Sequence, residues 1–311
     1  MKMKPGTGQT DWDSLIGQFA EEFESRGKSR NTITAYASDL GLLAEWHCGT
    51  YGRDGAGQLL SGLSSIDLLD HVRQLKAKSS PQTVNRKIAA IRAFFAFLLE
   101  KGLIGKDHSA ALKSVRVEPP KAPEVLTHAE FLRLLRVINR DGERGRRDWA
   151  VIHLMAQAGL RIGEVADVRL GDLEIGPRKG ILLIRSGKGG QPRRIFLNST
   201  AREAILDYLE VRPKKPDMYH LFVSQKGSPL SRRAIHNLVV FYMQRAGLPG
   251  RSAHSLRHLF AARLYNGSKD ILLVREALGH RSIKTTLRYA RKTEFKIAEK
   301  IEGSELNIYR D

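Results

Sequence analysis

The stretch "VRVEPPKAPEVLTHAE", residues 115–130, decides how the chain is divided. Pro119, Pro120 and Pro123 have no amide proton for a helix or a ladder, and each pushes its neighbour toward extended backbone. Thr127, followed three positions later by Glu130, has capping-box spacing, so a helix begins there. The stretch reads as a semi-rigid linker ending at a helix start; the alternative is a proline-rich surface loop inside one domain. As a linker it gives a first domain at 1–115, a connection at 116–124 and a second domain at 125–311, closed by a C-terminal helix and tail. A length of 311 residues suits two domains.

Upstream of the linker the periodicity is helical. "WDSLIGQFAEEFE" (12–24) puts Leu15, Ile16, Phe19 and Phe23 on one face, and "NTITAYASDLGLLAEW" (31–46) continues similarly. The glycine-rich "TYGRDGAGQLLSG" (50–62) reads as a loop, and "SSIDLLDHVRQLKAK" (64–78) as a third helix. A fourth starts at Ser80 with Pro81 just inside and stops at Gly102. Its apolar stripe is Ile88, Ile91, Phe94, Phe95 and Leu98, with Arg86, Lys87 and Arg92 off the stripe. The first domain is therefore expected to be a helical bundle with some basic surface.

Downstream, "AEFLRLLRVI" (129–138) and "DWAVIHLMAQAGL" (148–160) are helical. "GILLIRSGKGGQPRRIFL" (180–197) differs: two short apolar strands, 181–184 and 195–197, flank a glycine-rich turn and form a hairpin. "HLFVS" (220–224) is a candidate third strand. Helices are expected at about 199–211, 231–246, 254–266, 270–278 and 282–300. The fold class is mainly α, with a small antiparallel sheet in the C-terminal domain.

Charge points to a partner. The 52 Lys and Arg outnumber the 33 Asp and Glu, a formal net charge of +19 that attracts polyanions, nucleic acid before an anionic membrane surface. The single Cys48 excludes an intramolecular disulfide and a thiolate zinc site. The N-terminus has lysines but no apolar run behind them, and no stretch approaches eighteen apolar residues, so a soluble cytoplasmic protein without membrane segments is expected.

Three clusters carry candidate chemistry. In "AGLRIGEVADVRLGDL" (158–173), Arg161 precedes Glu164 by three and, in isolation, reads as a helix cap or as the partner of that carboxylate. In "SAHSLRHLFAARL" (252–264), His254, Arg257 and His258 share a helix face, with Ser252 placed to cap it. "LGHRSIKTTLRYARK" (278–292) reads as a short basic helix in which Tyr289 stands among Arg281, Lys284, Arg288, Arg291 and Lys292 with little apolar company.

Two other readings fail. His254 and His258 are four apart, but the zinc-protease pattern needs a glutamate where Ser255 stands, and neighbouring cations oppose a divalent ion. "SGKGG" lacks the Ser or Thr after Lys188 that a phosphate loop needs, and a strand follows. Lys188 is left as a hairpin-tip lysine, either solubilising or reaching into a neighbouring site. Two guanidiniums grip both non-bridging oxygens of a phosphodiester, and imidazoles move protons near neutral pH. A tyrosine hydroxyl, with a pKa of about 10, attacks phosphorus only with help from cations or a base. On this view Tyr289 stands among charges because it attacks a phosphate.

The order Arg…Lys…His-x-x-Arg…His…Tyr resembles the tyrosine recombinase (phage integrase) family, whose chemistry type IB topoisomerases share. "GLRIGEV" resembles the first arginine box (Arg161, with Glu164 as acidic companion), and "GKGGQPRRI" the hairpin carrying the family lysine (Lys188). "HSLRHLFA" is similar to the second box (His254, Arg257), and "LGHRSIKTTLRY" to the box with His280 and the nucleophile Tyr289. Departures are small: Leu259 stands where Thr or Ser is common, and the nucleophile is followed as "YAR" where other residues are frequent. Tyr265 and Tyr309 follow no such box and read as packing or tail residues.

The resemblance implies a helical core-binding domain before the catalytic one and a 3′-phosphotyrosyl intermediate. Arg161 and Arg257 would hold the phosphorane, Lys188 protonate the leaving 5′-oxygen, His254 accept the Tyr289 proton, His280 donate to the phosphate, and Glu164 orient the second box. It implies no metal and no cofactor. The partner is double-stranded DNA, clamped between the domains at paired inverted half-sites. The oligomer would be a dimer per site and a tetramer in synapsis, with or without a related recombinase or accessory protein, in a nucleoid-associated cytoplasmic setting. A non-catalytic DNA binder would have lost a box residue, and a metal-dependent nuclease would need acidic ligands. With the first helix near Asp11 and no inserted helix, the expected type is a simple two-domain Xer-like or transposon-type site-specific recombinase.

Overall fold

The computed structural model describes residues 12–51, 63–118, 124–185, 192–214, 218–280 and 282–289. The chain divides into two compact units, Met1–Pro119 and Pro120–Asp311.

Among its described residues the first unit holds the α-helices α1 (Trp12–Ser25), α2 (Arg30–Tyr51), α3 (Ser65–Lys78) and α4 (Pro81–Glu100), with a 3₁₀ turn at His108–Ala111. Local signals start and stop them. The Ser64 amide donates to Asp67 Oδ2 at 2.8 Å ahead of α3, and Ser80 caps α4 with Pro81 in its first position. Gly102, at φ 69°, ends that helix in the left-handed conformation glycine adopts at no steric cost. The stripe of α4 is buried against Leu15 and Phe19 of α1 and Leu40 and Leu43 of α2. Phe94 sits at the centre, stacked on Trp12 (ring centroids 5.8 Å apart) and edge-on to Phe19 (5.6 Å).

The expected basic surface of α4 is largely committed inside the unit. Lys87 is buried and pairs with buried Asp39 at 3.1 Å; Arg86 joins the same carboxylate, and Arg92 donates to the Leu112 carbonyl. Buried cations persist only when paired in this way. Thr50 and Tyr51 close α2, and the rest of the glycine-rich stretch lies outside the described residues.

The second unit contains α5 (His128–Arg136), α6 (Gly142–Ala158), α7 (Ile162–Asp167), β1 (Leu173–Ile175), β2 (Gly180–Ile184), β3 (Arg193–Phe196), α8 (Ser199–Val211), α9 (Arg232–Arg245), α10 (Ala253–Ser268) and α11 (Ile271–Leu278). Thr127 caps α5 as its spacing predicts: its amide donates to Glu130 Oε2 at 2.7 Å, and the Glu130 amide to Thr127 Oγ1 at 3.2 Å. Helix α6 is the axis of the core, with Ala150, Val151, Ile152 and Leu154 fully buried and α8 and α10 packed against it.

The sheet is antiparallel in the order β1-β2-β3, with Leu182 paired to Leu173 on one side and Ile195 on the other. The β2–β3 hairpin matches expectation; the third strand is a correction. It is β1, not 220–224. Leu221, Phe222 and Val223 are buried, but this segment makes only isolated bridges, to Arg169 and Pro229. Guanidiniums take the carbonyls that a ladder would use: Arg212 binds those of His220 and Leu221, and Arg147 that of Val223.

The second correction concerns the helix expected over 282–300. Helix α11 ends at Gly279 (φ 61°), and Ile283–Thr285 and Leu287–Tyr289 are separate 3₁₀ turns, closed by Thr286 N–H to Ile283 O (2.8 Å) and Tyr289 N–H to Thr286 O (3.0 Å). Between them Thr286 is fully buried, and a continuous α-helix would not place it there while keeping these bonds. Residues 290–311, with Tyr309 and the expected tail, lie outside the described residues.

Candidate active site

Gly159, at φ 64°, ends α6 and turns the chain so that Arg161 opens α7. Of the isolated readings of Arg161, the pairing with Glu164 holds, while at the N-cap position its own side chain makes no cap hydrogen bond. Its amide donates to Glu164 Oε2 at 2.8 Å, and its Nη1 to Oε1 at 3.0 Å. Its Nη2 reaches the Gly279 carbonyl at 3.2 Å, yet the side chain keeps 42% of its surface exposed.

Glu164 is the hub. Arg193 grips it in a two-pronged pair, Nη1 to Oε1 at 2.9 Å and Nη2 to Oε2 at 3.0 Å, and Arg257 Nη1 lies 3.9 Å from Oε2. Burial pushes the Glu164 carboxyl up, but the Arg193 hydrogen bonds, the Arg161 amide and both positive charges outweigh it and hold the group below the ordinary carboxylate range. One carboxylate thus balances only part of three guanidinium charges.

Arg257 is buried on α10 and donates to the Gly159 and Leu278 carbonyls, the latter at 2.7 Å. These close α6 and α11, helix ends that carry unsatisfied carbonyls and partial negative charge. Burial first, and then the charge of Arg161, push the Arg257 guanidinium down to about 10, so it remains a cation at neutral pH. The two arginines are therefore pinned from behind by backbone and carboxylate.

His280 follows Gly279, and its Nδ1 lies 2.9 Å from Thr286 Oγ1. His254 and His258 lie one turn apart on α10, with ring centroids 6.4 Å apart. The Tyr289 hydroxyl is 2.5 Å from His258 Nδ1. The Tyr289 ring packs against Ala261, Val274 and Leu278. This corrects the expectation of little apolar company: charge surrounds the residue in sequence, while its ring has an apolar bed in space.

Arg161, Glu164, His254, Arg257, His280 and Tyr289 line one groove of about 1960 Å³, which Arg185, Arg232, Arg233 and Arg275 make basic. Six of the seven expected residues are brought together; Lys188 lies outside the described residues. Sequence reasoning passed over Arg193 and left His258 without a role. Arg193 had a signal: it shares a strand face with buried Ile195, whereas its neighbour Arg194 alternates outward. Among the described residues no group of three His, Cys, Asp or Glu is placed to hold a metal ion, and no helix is long and apolar enough to cross a membrane.

Similarity to known proteins covers most of the chain. Residues 124–295 match the phage integrase family, and residues 16–102 the phage integrase N-terminal SAM-like domain. A tyrosine recombinase XerD of Ralstonia nicotianae is 33% identical over 270 residues, 85% of this chain and 84% of that protein. A XerC of Caldanaerobacter subterraneus is 31% identical over 315 residues, 94% of this chain and 87% of that one. Among solved structures, XerH bound to its difH substrate in a pre-cleavage complex has a TM-score of 0.69 at 22% identity, covering 99% of both chains. A lambda integrase dimer on a core site has a TM-score of 0.67 at 17% identity, covering 88% of this chain and 96% of that one. With both of its units matched and a groove that gathers two pinned arginines, two box histidines and a tyrosine, the chain belongs to the tyrosine recombinase, or phage integrase, family.

Proposed function

We propose that this tyrosine recombinase acts on duplex DNA at paired inverted half-sites, with Tyr289 as nucleophile. Tyr289 Oη attacks the scissile phosphorus and the bond to the 5′-oxygen breaks, leaving a 3′-phosphotyrosyl link and a 5′-hydroxyl. Arg161 and Arg257 hold the non-bridging oxygens, the kind of preorganised charge that supplies a large share of such catalysis. Lys188 protonates the leaving oxygen. His254 and His280 hydrogen-bond the phosphate oxygens, and Glu164 aligns the arginines. The covalent link stores the energy of the broken bond, so rejoining needs no nucleotide.

The first domain, 1–115, would act as a helical DNA-gripping module joined through 116–124 to the catalytic domain, 125–311. Protomers would pair on one site and assemble as a tetramer when two sites meet. The observation that carries the reading is the pinning of both guanidiniums behind one groove that also holds Tyr289. Tyr289→Phe tests it: ring packing and DNA binding should persist, while the SDS-resistant protein–DNA adduct on a nicked suicide substrate should disappear. An adduct persisting in Tyr289→Phe would assign the attack elsewhere.

A further inference from the structure

His254, Arg257 and His258 share one face of α10, yet the resemblance gives work only to the first two. We infer that His258 takes the proton from Tyr289 as it attacks, an assignment that rests on Tyr289 being the nucleophile. His258 Nδ1 lies 2.5 Å from Tyr289 Oη, the reacting atom, with ring centroids 5.7 Å apart and planes inclined by 54°.

The pair is held from both sides. The tyrosine ring is seated on Ala261 of α10 and on Val274 and Leu278 of α11, and its amide is tied to the Thr286 carbonyl at 3.0 Å. His258 comes from the same helix as Ala261, so imidazole and ring are fixed by one element. Arg257, the adjoining residue, is anchored to the Leu278 carbonyl, which places the proton acceptor and the phosphate clamp on a common support. Nδ1 accepts only when the proton of the neutral ring sits on Nε2.

The step balances. As the Oη–P bond forms, the hydroxyl proton passes to His258 Nδ1, the P–O5′ bond breaks and Lys188 supplies the proton to the 5′-oxygen. On rejoining, the 5′-hydroxyl attacks phosphorus and gives its proton to Lys188, the Oη–P bond breaks, and the imidazolium returns its proton to Tyr289 Oη. His254, whose ring lies 6.4 Å from that of His258, then joins His280 as a donor to phosphate oxygen.

The experiment measures single-turnover adduct formation on a nicked suicide duplex for His258→Ala, His258→Gln, His254→Ala and Tyr289→Phe, with thermal unfolding and DNA retention confirming that each variant folds. Glutamine can hold the tyrosine hydroxyl but cannot take its proton. Both His258 variants should be slowed by roughly 100-fold or more, the usual worth of a positioned general base. Added imidazole should restore His258→Ala and not His254→Ala. A His258→Gln rate near wild type makes the contact a support only and overturns the assignment. So does a faster His258→Ala, which would make it a restraint, or imidazole rescue confined to His254→Ala. Loss of the adduct in Tyr289→Phe alongside any of these leaves the nucleophile standing and removes only His258.

Discussion

Arg257 and Arg161 carry the same charge and are held differently, which separates their substitutions. Arg257 spans two carbonyls from two helix ends, a task for a planar fork with several donors; a lysine ammonium cannot reach both. Arg257→Lys should therefore lose about 1–3 kcal/mol of stability through a buried carbonyl left unpaired, and cleavage should fall by roughly 100- to 1000-fold. Arg161 is partly exposed, so Arg161→Lys should show a similar loss of rate with a melting temperature close to wild type. Melting curves and suicide-substrate rates on the two variants check this; equal melting losses would mean that Arg257 owes nothing to its carbonyls. Which residue types line the groove was readable from the boxes. Which of Arg193 and Arg194 turns inward was hinted at by strand alternation, and the partner of His258 was not, because Tyr289 meets it only through tertiary packing.

At the scale of elements, Gly279 is where helix, hairpin and site meet. It ends α11 at φ 61°, and a Cβ there would lie 2.9 Å from Arg193 Cζ. Gly279→Ala thus combines a left-handed backbone cost of about 1–2 kcal/mol with displacement of the Arg193 guanidinium from Glu164. Gly247 has a similar φ of 69° with nothing within 4 Å of the place a Cβ would take, so Gly247→Ala carries the backbone cost alone. Both variants should melt earlier, and only Gly279→Ala should also cut the rate of adduct formation; equal rates would show that Arg193 does not transmit to the clamp. Helix starts at Ser64, Ser80 and Thr127 were legible because a cap is a contact among residues three apart. The strand β1 and the 3₁₀ turns around Thr286 were not, since they depend on guanidiniums and buried partners distant in sequence.

Across the whole molecule, each unit buries a histidine that should make it sensitive to acid. His71 lies beside Trp46 in the first unit and His153 beside Trp149 in the second. Burial pushes each down to about 4, aided by the charges of Lys87 and Arg140 respectively. The unfolded rings titrate near 6.5, so between about 6.5 and 4 the unfolded chain binds more protons, and stability falls as pH falls through that window. The loss amounts to at most about 3 kcal/mol per histidine. Urea midpoints measured from pH 7.5 to 4.5 should drop in wild type and drop less in His153→Phe and His71→Phe; unchanged slopes in the variants would acquit both rings. Such burial is invisible in composition, whereas much else was local and could be read directly: the apolar stripes, the caps, the hairpin, the charge of +19 and the ordered boxes. Only the tertiary structure brought Arg161 to a carbonyl 118 positions away, Arg257 to one 98 positions away and His258 to Tyr289. Periodicity states which face of an element is buried; the partner of that face is settled by packing among segments far apart in the chain.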